Sequence, residues 1–425
     1  MAAAQLARLG IRSLLIEGSS RAGRGTAYAT PEPAHLLNVR AEGMSAWPDD
    51  PAHFARYFAA HGGAPREFTE RRLFGDYLSG ILQEAVASGL VEVVETRAVA
   101  ARAQAGGWTI DVEGRDSVAA GALVLATGNQ PPEPLKFNQN SRFFDNPWSE
   151  AAQRALRKAA AADDAVLIVG TGLTMVDLVL SLTAAGHRGR IVAFSRRGLL
   201  PRAHAEFDPA PVEFDDVPQG NVIALLRWTR RRAGAVGWRA AIDSLRPHSQ
   251  RLWQALSVEE QQRFARHARP WWDVHRHRIA PQVAQSLRDR VADGSLQILA
   301  GRIAEVAADD EALSISISRR GGADDAVPDR FAYAFNCTGP LGRINRTTDR
   351  LLRQMLDDGL VKSDALGMGL VVDAASRVQG APLAWALGPL TKGRFWEIVA
   401  VPDIRQQAAA VADDIARSLG DDPHA

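Results

Sequence analysis

Short, mostly apolar runs recur along the chain, several ending in a small-residue turn, and stretches of helical period separate them. Ile11 to Ile16, Ala122 to Leu125, Ala165 to Val169, Arg190 to Ser195, Phe335 to Cys337 and Leu383 to Leu387 are such runs. Runs of this length with so few polar residues predict largely buried strands. Ala and Leu over residues 2–9 predict a helix that Gly10 stops. A second helix follows Gly172 and ends near Gly186, and residues 220–290 read as mostly helical. A last helix opens at Pro402, lines Ile404, Ala408, Val411, Ile415 and Leu419 along one face, and stops at Gly420. Val93 to Arg102 and Trp108 to Glu113, joined through Gly106-Gly107, predict a strand pair. Alternation returns between Leu296 and Ile317, while the Gly- and Pro-rich residues 21–50 predict an irregular loop.

Strands alternating with helices place the chain in the α/β class. Two Rossmann-like dinucleotide-binding units account for the order of elements. The first is expected over 1–150 and 330–425, the second over 151–329 with a helical insertion at about 205–290. Composition narrows the functional classes. Hydrophobic residues make up 46%, charged residues 23%, and the net charge is +1, which gives no general attraction to nucleic acid or membrane. The basic run Arg230-Arg231-Arg232 is read as a solvated helix face. No apolar run approaches the ~20 residues of a membrane span. Cys337 is the single cysteine, so neither a disulfide framework nor a CxxC redox pair exists within this sequence. Cytoplasmic location is the expectation, with a small-molecule substrate and an oligomeric state that the sequence leaves open.

The most specific motif runs from Gly170 to Asp177, where strand passes through Gly170-Thr171-Gly172 into the helix opened by Leu173 and Thr174. Gly170 suits a tight turn, and Gly172 allows backbone N–H groups to approach a pyrophosphate at the helix N-terminus. Met175 stands where a third glycine is usual, which predicts looser helix–strand packing. The other reading is a strand-to-helix turn that is merely glycine-rich. The returning strand ends in Ser195-Arg196-Arg197, with Arg202 close behind. Guanidinium groups there suit the 2′-phosphate of NADP, with NAD or a solvated basic turn as alternatives. Glu17, ending the strand from Ile11, is the opposite case: an acid repels a 2′-phosphate and suits the ribose of FAD. The strand and glycine loop of this first unit are expected upstream of Met1. The sequence therefore reads as a longer natural chain missing its start, or as an inactive truncated copy.

Arg24-Gly25-Thr26-Ala27-Tyr28, His35-Leu36-Leu37-Asn38-Val39, Met44-Ser45, the loop at 170–177, Pro270 to Arg278 and Phe335 to Pro340 together resemble the bacterial FAD/NAD(P)-binding protein family. That family is distantly similar to flavin-containing and N-hydroxylating monooxygenases. The resemblance implies an FAD-dependent, NAD(P)H-using oxidoreductase, with a non-catalytic binding or sensor protein as the alternative. It implies that Glu17 holds the adenosine ribose of FAD and that Arg24, Gly25, Ala27 and Tyr28 run beside pyrophosphate and flavin. His35, Asn38 and Met44 would approach the isoalloxazine. Ala126-Thr127-Gly128 and Thr338-Gly339 would be the crossings between domains, and Gly388 would lie at the flavin end. In related two-dinucleotide enzymes an Asp follows that glycine; here Pro389 does. Trp271, Trp272 and His275 are read either as a substrate-contacting lid or as a packed helix end. Metal binding is disfavoured, because His275 and His277 at a spacing of two leave a helix on different sides. No catalytic acid or base is assigned.

Overall fold

The computed structural model describes residues 1–19, 21–135, 141–309, 311–319 and 329–420. Its largest sheet has seven strands in the order Asp329–Phe331, Leu313–Arg319, Leu296–Ala308, Ile191–Ser195, Val166–Val169, Tyr333–Asn336 and Phe143–Phe144. The five strands from Leu296–Ala308 to Phe143–Phe144 run parallel. Val166, Leu167 and Ile168 are fully buried, as the uninterrupted apolar run requires when helices cover both faces of a sheet. Leu178, Val179 and Leu182 of the Leu173–Ala184 helix pack on one face, with Leu156 and Ala159 of the Glu150–Ala162 helix. Met175 is fully buried in the same cluster, so the thioether fills the space that a third glycine leaves in a closer-packed loop.

The remaining β structure is smaller. Ser13–Ile16 pairs in parallel with Val91–Val94, and Leu123–Leu125 pairs in parallel with Ala384–Ala386. Ala98–Gln104, Gly107–Val112 and Val118–Ala120 form an antiparallel sheet. The run expected as one strand over Val93 to Arg102 is thus two strands in different sheets, broken at Glu95–Arg97. The large sheet takes in Phe143–Phe144 and Tyr333–Asn336, each lying beyond the 151–329 range expected for the second unit.

Residues 222–292 are helical as expected, in six helices from Val222–Val236 to Pro281–Ala292 interrupted by a five-residue π turn at Phe264–Ala268. Three further helices were not legible in the sequence: His53–Ala60, Glu150–Ala162 and Arg350–Asp357. Two have side-chain caps that mark their starts. Ser149 accepts from the Ala152 N–H at 3.2 Å and Asp349 from the Leu352 N–H at 3.0 Å. The loop at 21–50 contains one short helix, Gly25–Tyr28. The final helix is Val401–Gly420, and no described helix is long and apolar enough to cross a membrane.

Candidate functional site

Parallel strands present their carboxyl ends together, and in such sheets ligands bind outside those ends. Here the ends of Val166–Val169, Tyr333–Asn336, Leu123–Leu125 and Ala384–Ala386 carry the glycine-rich turns read from the sequence. Gly170 has φ +116° and its N–H donates to the Phe194 carbonyl at 2.7 Å. The Cys337 N–H donates to the Val169 carbonyl at 2.7 Å, which brings Thr338 and Gly339 beside the loop. An added Cβ on Gly170 would collide with the Cys337 carbonyl oxygen. Thr171 points the other way, its Oγ1 donating to the Leu199 carbonyl at 2.5 Å and lying 2.9 Å from Ser195 Oγ. Gly172 then caps the helix, leaving its first amides with no carbonyl inside the helix to meet.

Gly25, Gly128, Gly172 and Gly339 share a property: a Cβ added at any of them meets no atom within 4 Å. Gly128, Gly172 and Gly339 each lie three residues beyond a parallel strand, and open space there is what a close approach of a dinucleotide backbone needs. Ala126 and Thr127 are exposed beside Gly128, and Thr338 is exposed beside Gly339. Gln130 ties the two crossings together, accepting from the Leu341 N–H through its carbonyl at 3.2 Å and from Thr347 Oγ1 through Oε1 at 3.0 Å. Glu17 is half-buried at its strand end, and its Oε1 accepts from the Ser19 N–H at 3.1 Å.

Several residues assigned to cofactor contact do other work. Asp177 is buried and faces away from the loop, accepting from Arg71 Nη1 at 2.7 Å. His35 is buried, with Nδ1 2.8 Å from Thr30 Oγ1 and Nε2 2.9 Å from the Asp177 carbonyl oxygen. With both ring nitrogens engaged, His35 fastens the N-terminal third to the Leu173–Ala184 helix and is not free for a flavin. Met44 is buried in an apolar cluster with Phe54, Phe58 and Phe74. Asn38 offers its carbonyl to His204 Nε2 at 3.0 Å. Arg24 pairs with Asp76 at 2.6 Å. Tyr28 sits edge-on to Phe74 at 4.7 Å, and burial pushes its phenol up to about 12. Ala27, beside it, is exposed. Arg202 is exposed and bound through its backbone to Val274 and Ile279, apart from Arg196 and Arg197.

The tryptophan segment does not converge on one space. Trp271 is 47% exposed, whereas Trp272 donates to Glu397 Oε1 at 2.5 Å and His275 lies edge-on to Trp238 at 5.0 Å. Glu397, at φ +66°, also accepts from Arg276 at 3.1 Å and so locks this helix to the segment after Gly388. The packed helix end fits Trp272 and His275 better than a lid. Among the described residues, no group of three or more His, Cys, Asp or Glu side chains gathers as a metal site.

Two residues that the sequence did not single out bear on the flavin-end turn. Gln407 of the last helix accepts from the Gly388 N–H at 2.7 Å and donates to Thr391 Oγ1 at 2.9 Å. Lys392, one of four lysines in the chain, faces a narrow cleft shared with Gly128, Gln130 and Pro389. Burial pushes its ammonium down to about 8.

His204 carries a pH expectation. Burial lowers its imidazole to about 4, Arg278 and Arg40 add to that, and the Asn38 carbonyl and Asp243 oppose it. The unfolded chain takes this proton near pH ~6.5, so between ~6.5 and about 4 it binds more protons than the folded one. Stability is therefore full above pH ~6.5 and is lost as pH falls toward 4. His204→Gln is expected to flatten part of that decline in urea midpoints measured from pH 7 to 4.5; an unchanged slope would remove His204 as its source.

Comparison with known proteins agrees with this geometry. Residues 1–130 match a family model described as FAD-NAD(P)-binding. The Kutzneria sp. 744 ornithine N-hydroxylase, solved with reduced FAD, NADP+ and L-ornithine, superposes with a TM-score of 0.67 at 13% identity over 98% of this chain and 96% of that one. The Pseudomonas syringae L-lysine 6-monooxygenase gives 0.66 at 15% identity over 98% and 97%. The T. acidophilum thioredoxin reductase gives 0.54 at 12% identity over 98% and 94%. At such identities the likeness is one of fold. No curated protein sequence matches the chain.

Proposed function

We propose that the chain is an FAD- and NADPH-dependent oxidoreductase, monooxygenase-like, acting on a small molecule. The carrying observation is the set of three glycines, Gly128, Gly172 and Gly339, each three residues beyond a parallel strand and each with open space beside it, within a fold shared with N-hydroxylating monooxygenases. Gly170–Gly172 and the Leu173–Thr174 helix start would hold the pyrophosphate of NADPH, with Arg196 and Arg197 toward its 2′-phosphate. Glu17, Gly25 and Gly128 would hold FAD, with Gly388 and Lys392 at its flavin end. Once bound, these cofactors supply hydride transfer and the reaction of reduced flavin with oxygen or another acceptor. The chain aligns them and excludes water: Arg71–Asp177 and His35 fix the Leu173–Ala184 helix, and Gln407 fixes the Gly388 turn.

A thioredoxin reductase, the activity named for some structural neighbours, needs an accessible redox pair. Cys337 is single and buried, and burial pushes its thiol well up. The ornithine and lysine hydroxylases among the neighbours support screening primary amines first.

The test is anaerobic titration of the FAD-loaded protein with NADPH. Bleaching of the flavin by NADPH, its return with oxygen, and amine-dependent NADPH consumption are the expected results. Arg196→Ala/Arg197→Ala is expected to raise the apparent Kd for NADPH about tenfold or more and to leave that for NADH within about twofold. Flavin that neither nicotinamide reduces would overturn the oxidoreductase assignment and favour a sensor.

A further inference from the structure

Beside the glycine loop, the carboxyl end of Ile191–Ser195 opens into a separate cavity of about 450 Å³. Arg196, Arg197, Arg266, His267, Arg302 and Arg319 wall it. Strand register explains how three of these chain segments meet. Ser195 pairs with Ala300, and Gly301 pairs with Arg319, so Arg196, Arg302 and Arg319 fall on neighbouring rows at one sheet end. Gly301 permits the rows to close up, since a Cβ there would stand 2.6 Å from the Ser318 carbonyl oxygen. From the helical insertion, the π turn Phe264–Ala268 brings Arg266 and His267 to the same space. Such turns re-aim side chains and recur at functional sites.

Charge sets this cavity apart. Elsewhere many of the partly buried arginines are matched to acids, as in Arg71–Asp177, Arg190–Asp329, Arg278–Asp243 and Arg377–Asp414. Among the described residues, none of the five cavity arginines has an acid within bridging distance, in a chain whose net charge is only +1. Guanidinium groups gathered without counter-charge repel one another and raise the local potential, and an anion relieves both.

We infer that this cavity receives the 2′-phosphorylated adenosine end of NADPH, and that Arg302, Arg319 and the insertion's Arg266–His267 complete a phosphate-and-adenine pocket alongside Arg196–Arg197. The inference rests on the NADPH assignment of the Gly170–Gly172 loop and extends it, because it makes the insertion a determinant of coenzyme choice. Position supports it: with pyrophosphate at Gly172, the adenosine ribose lies at the end of the returning strand. Size supports it, since the cavity is nucleotide-sized rather than phosphate-sized. So does chemistry. Guanidinium groups pair bidentately with phosphate and also stack on aromatic rings, so five of them divide between two tasks.

The experiment is calorimetric titration of the full chain with 2′,5′-ADP, 5′-AMP, pyrophosphate and NADPH. Wild type is compared with Arg302→Ala, Arg319→Ala, Arg266→Ala/His267→Ala, Arg196→Ala/Arg197→Ala and Gly172→Val, each checked by circular dichroism. Arg302, Arg319, Arg266 and His267 are all exposed, so folding should survive their loss. Wild type should bind 2′,5′-ADP at least about tenfold tighter than 5′-AMP. Each arginine variant should weaken 2′,5′-ADP about tenfold, with 5′-AMP changed less than about twofold and a shallower salt dependence where the lost guanidinium meets the phosphate, and with 5′-AMP weakened in parallel where it stacks on adenine. The inference fails alone if only Arg196→Ala/Arg197→Ala weakens 2′,5′-ADP. It fails also if pyrophosphate binds as tightly as 2′,5′-ADP, since adenine would then contribute nothing. The NADPH assignment itself fails, and the inference with it, if wild type binds neither NADPH nor 2′,5′-ADP and Gly172→Val changes no titration.

Discussion

Gly170→Ala is expected to cost the protein its stable fold, whereas Gly172→Val leaves the fold intact and removes nucleotide affinity. The two glycines stand two positions apart in one loop, yet their surroundings differ completely. Gly170 has φ +116°, a conformation closed to ordinary side chains, and a Cβ there would run into the Cys337 backbone. Backbone strain of this type costs about 1–3 kcal/mol. The clash adds to it by forcing apart Val169 and Cys337, which share a 2.7 Å hydrogen bond at the centre of the large sheet. A total of at least about 3 kcal/mol corresponds, in a chain of 425 residues, to a Tm drop of about 4 °C or more, or to loss of soluble protein. Gly172 has extended backbone, and a Cβ added there meets nothing within 4 Å, so bulk at this position meets only a ligand. Gly172→Val should keep its Tm within about 2 °C while NADPH affinity falls at least about tenfold. Thermal melts and NADPH titrations of both variants decide this; equal melting of Gly170→Ala and wild type would refute the packing account.

Arg71→Met is expected to destabilise by about 3–5 kcal/mol, the usual cost of leaving one member of a buried ion pair alone. Arg71 and Asp177 are 12% and 6% exposed at the side chain and 2.7 Å apart. Arg71 also donates through Nε to the Leu36 carbonyl at 2.9 Å, steadying the turn that carries His35. Asp177→Leu combined with Arg71→Met removes the stranded charge and should recover much of the loss. Urea unfolding of both single variants and the double variant tests this. A single-variant cost under about 1 kcal/mol would mean that the pair does not hold the Leu173–Ala184 helix against the N-terminal third.

How much was legible follows from how local each signal is. Strand, glycine turn and helix at 165–184 could be read because the strand is buried on both faces and the turn needs glycine within four residues. The helix at Glu150–Ala162 also left a local signal, Ser149 followed by an alanine-rich run, which the proline just upstream obscured. The break at Glu95–Arg97 left none. Val91–Val94 and Ala98–Gln104 have similar β character, and only their partners, Ser13–Ile16 and Gly107–Val112, separate them.

Site residues divide along the same line. Sequence by itself determined the α/β class, the Gly170–Gly172 loop and the basic end of the returning strand, because backbone freedom, apolar period and charge act within a few residues. Tertiary structure alone decided that Asp177 meets Arg71 and that His35, held at Nδ1 by nearby Thr30, spends Nε2 on a helix 142 positions away. It alone placed Arg266, Arg302 and Arg319 around one cavity with Arg196 and Arg197. Hydrogen bonds and charge pairs reach only a few ångströms, so a side chain's role depends on which distant segment folding sets within that reach.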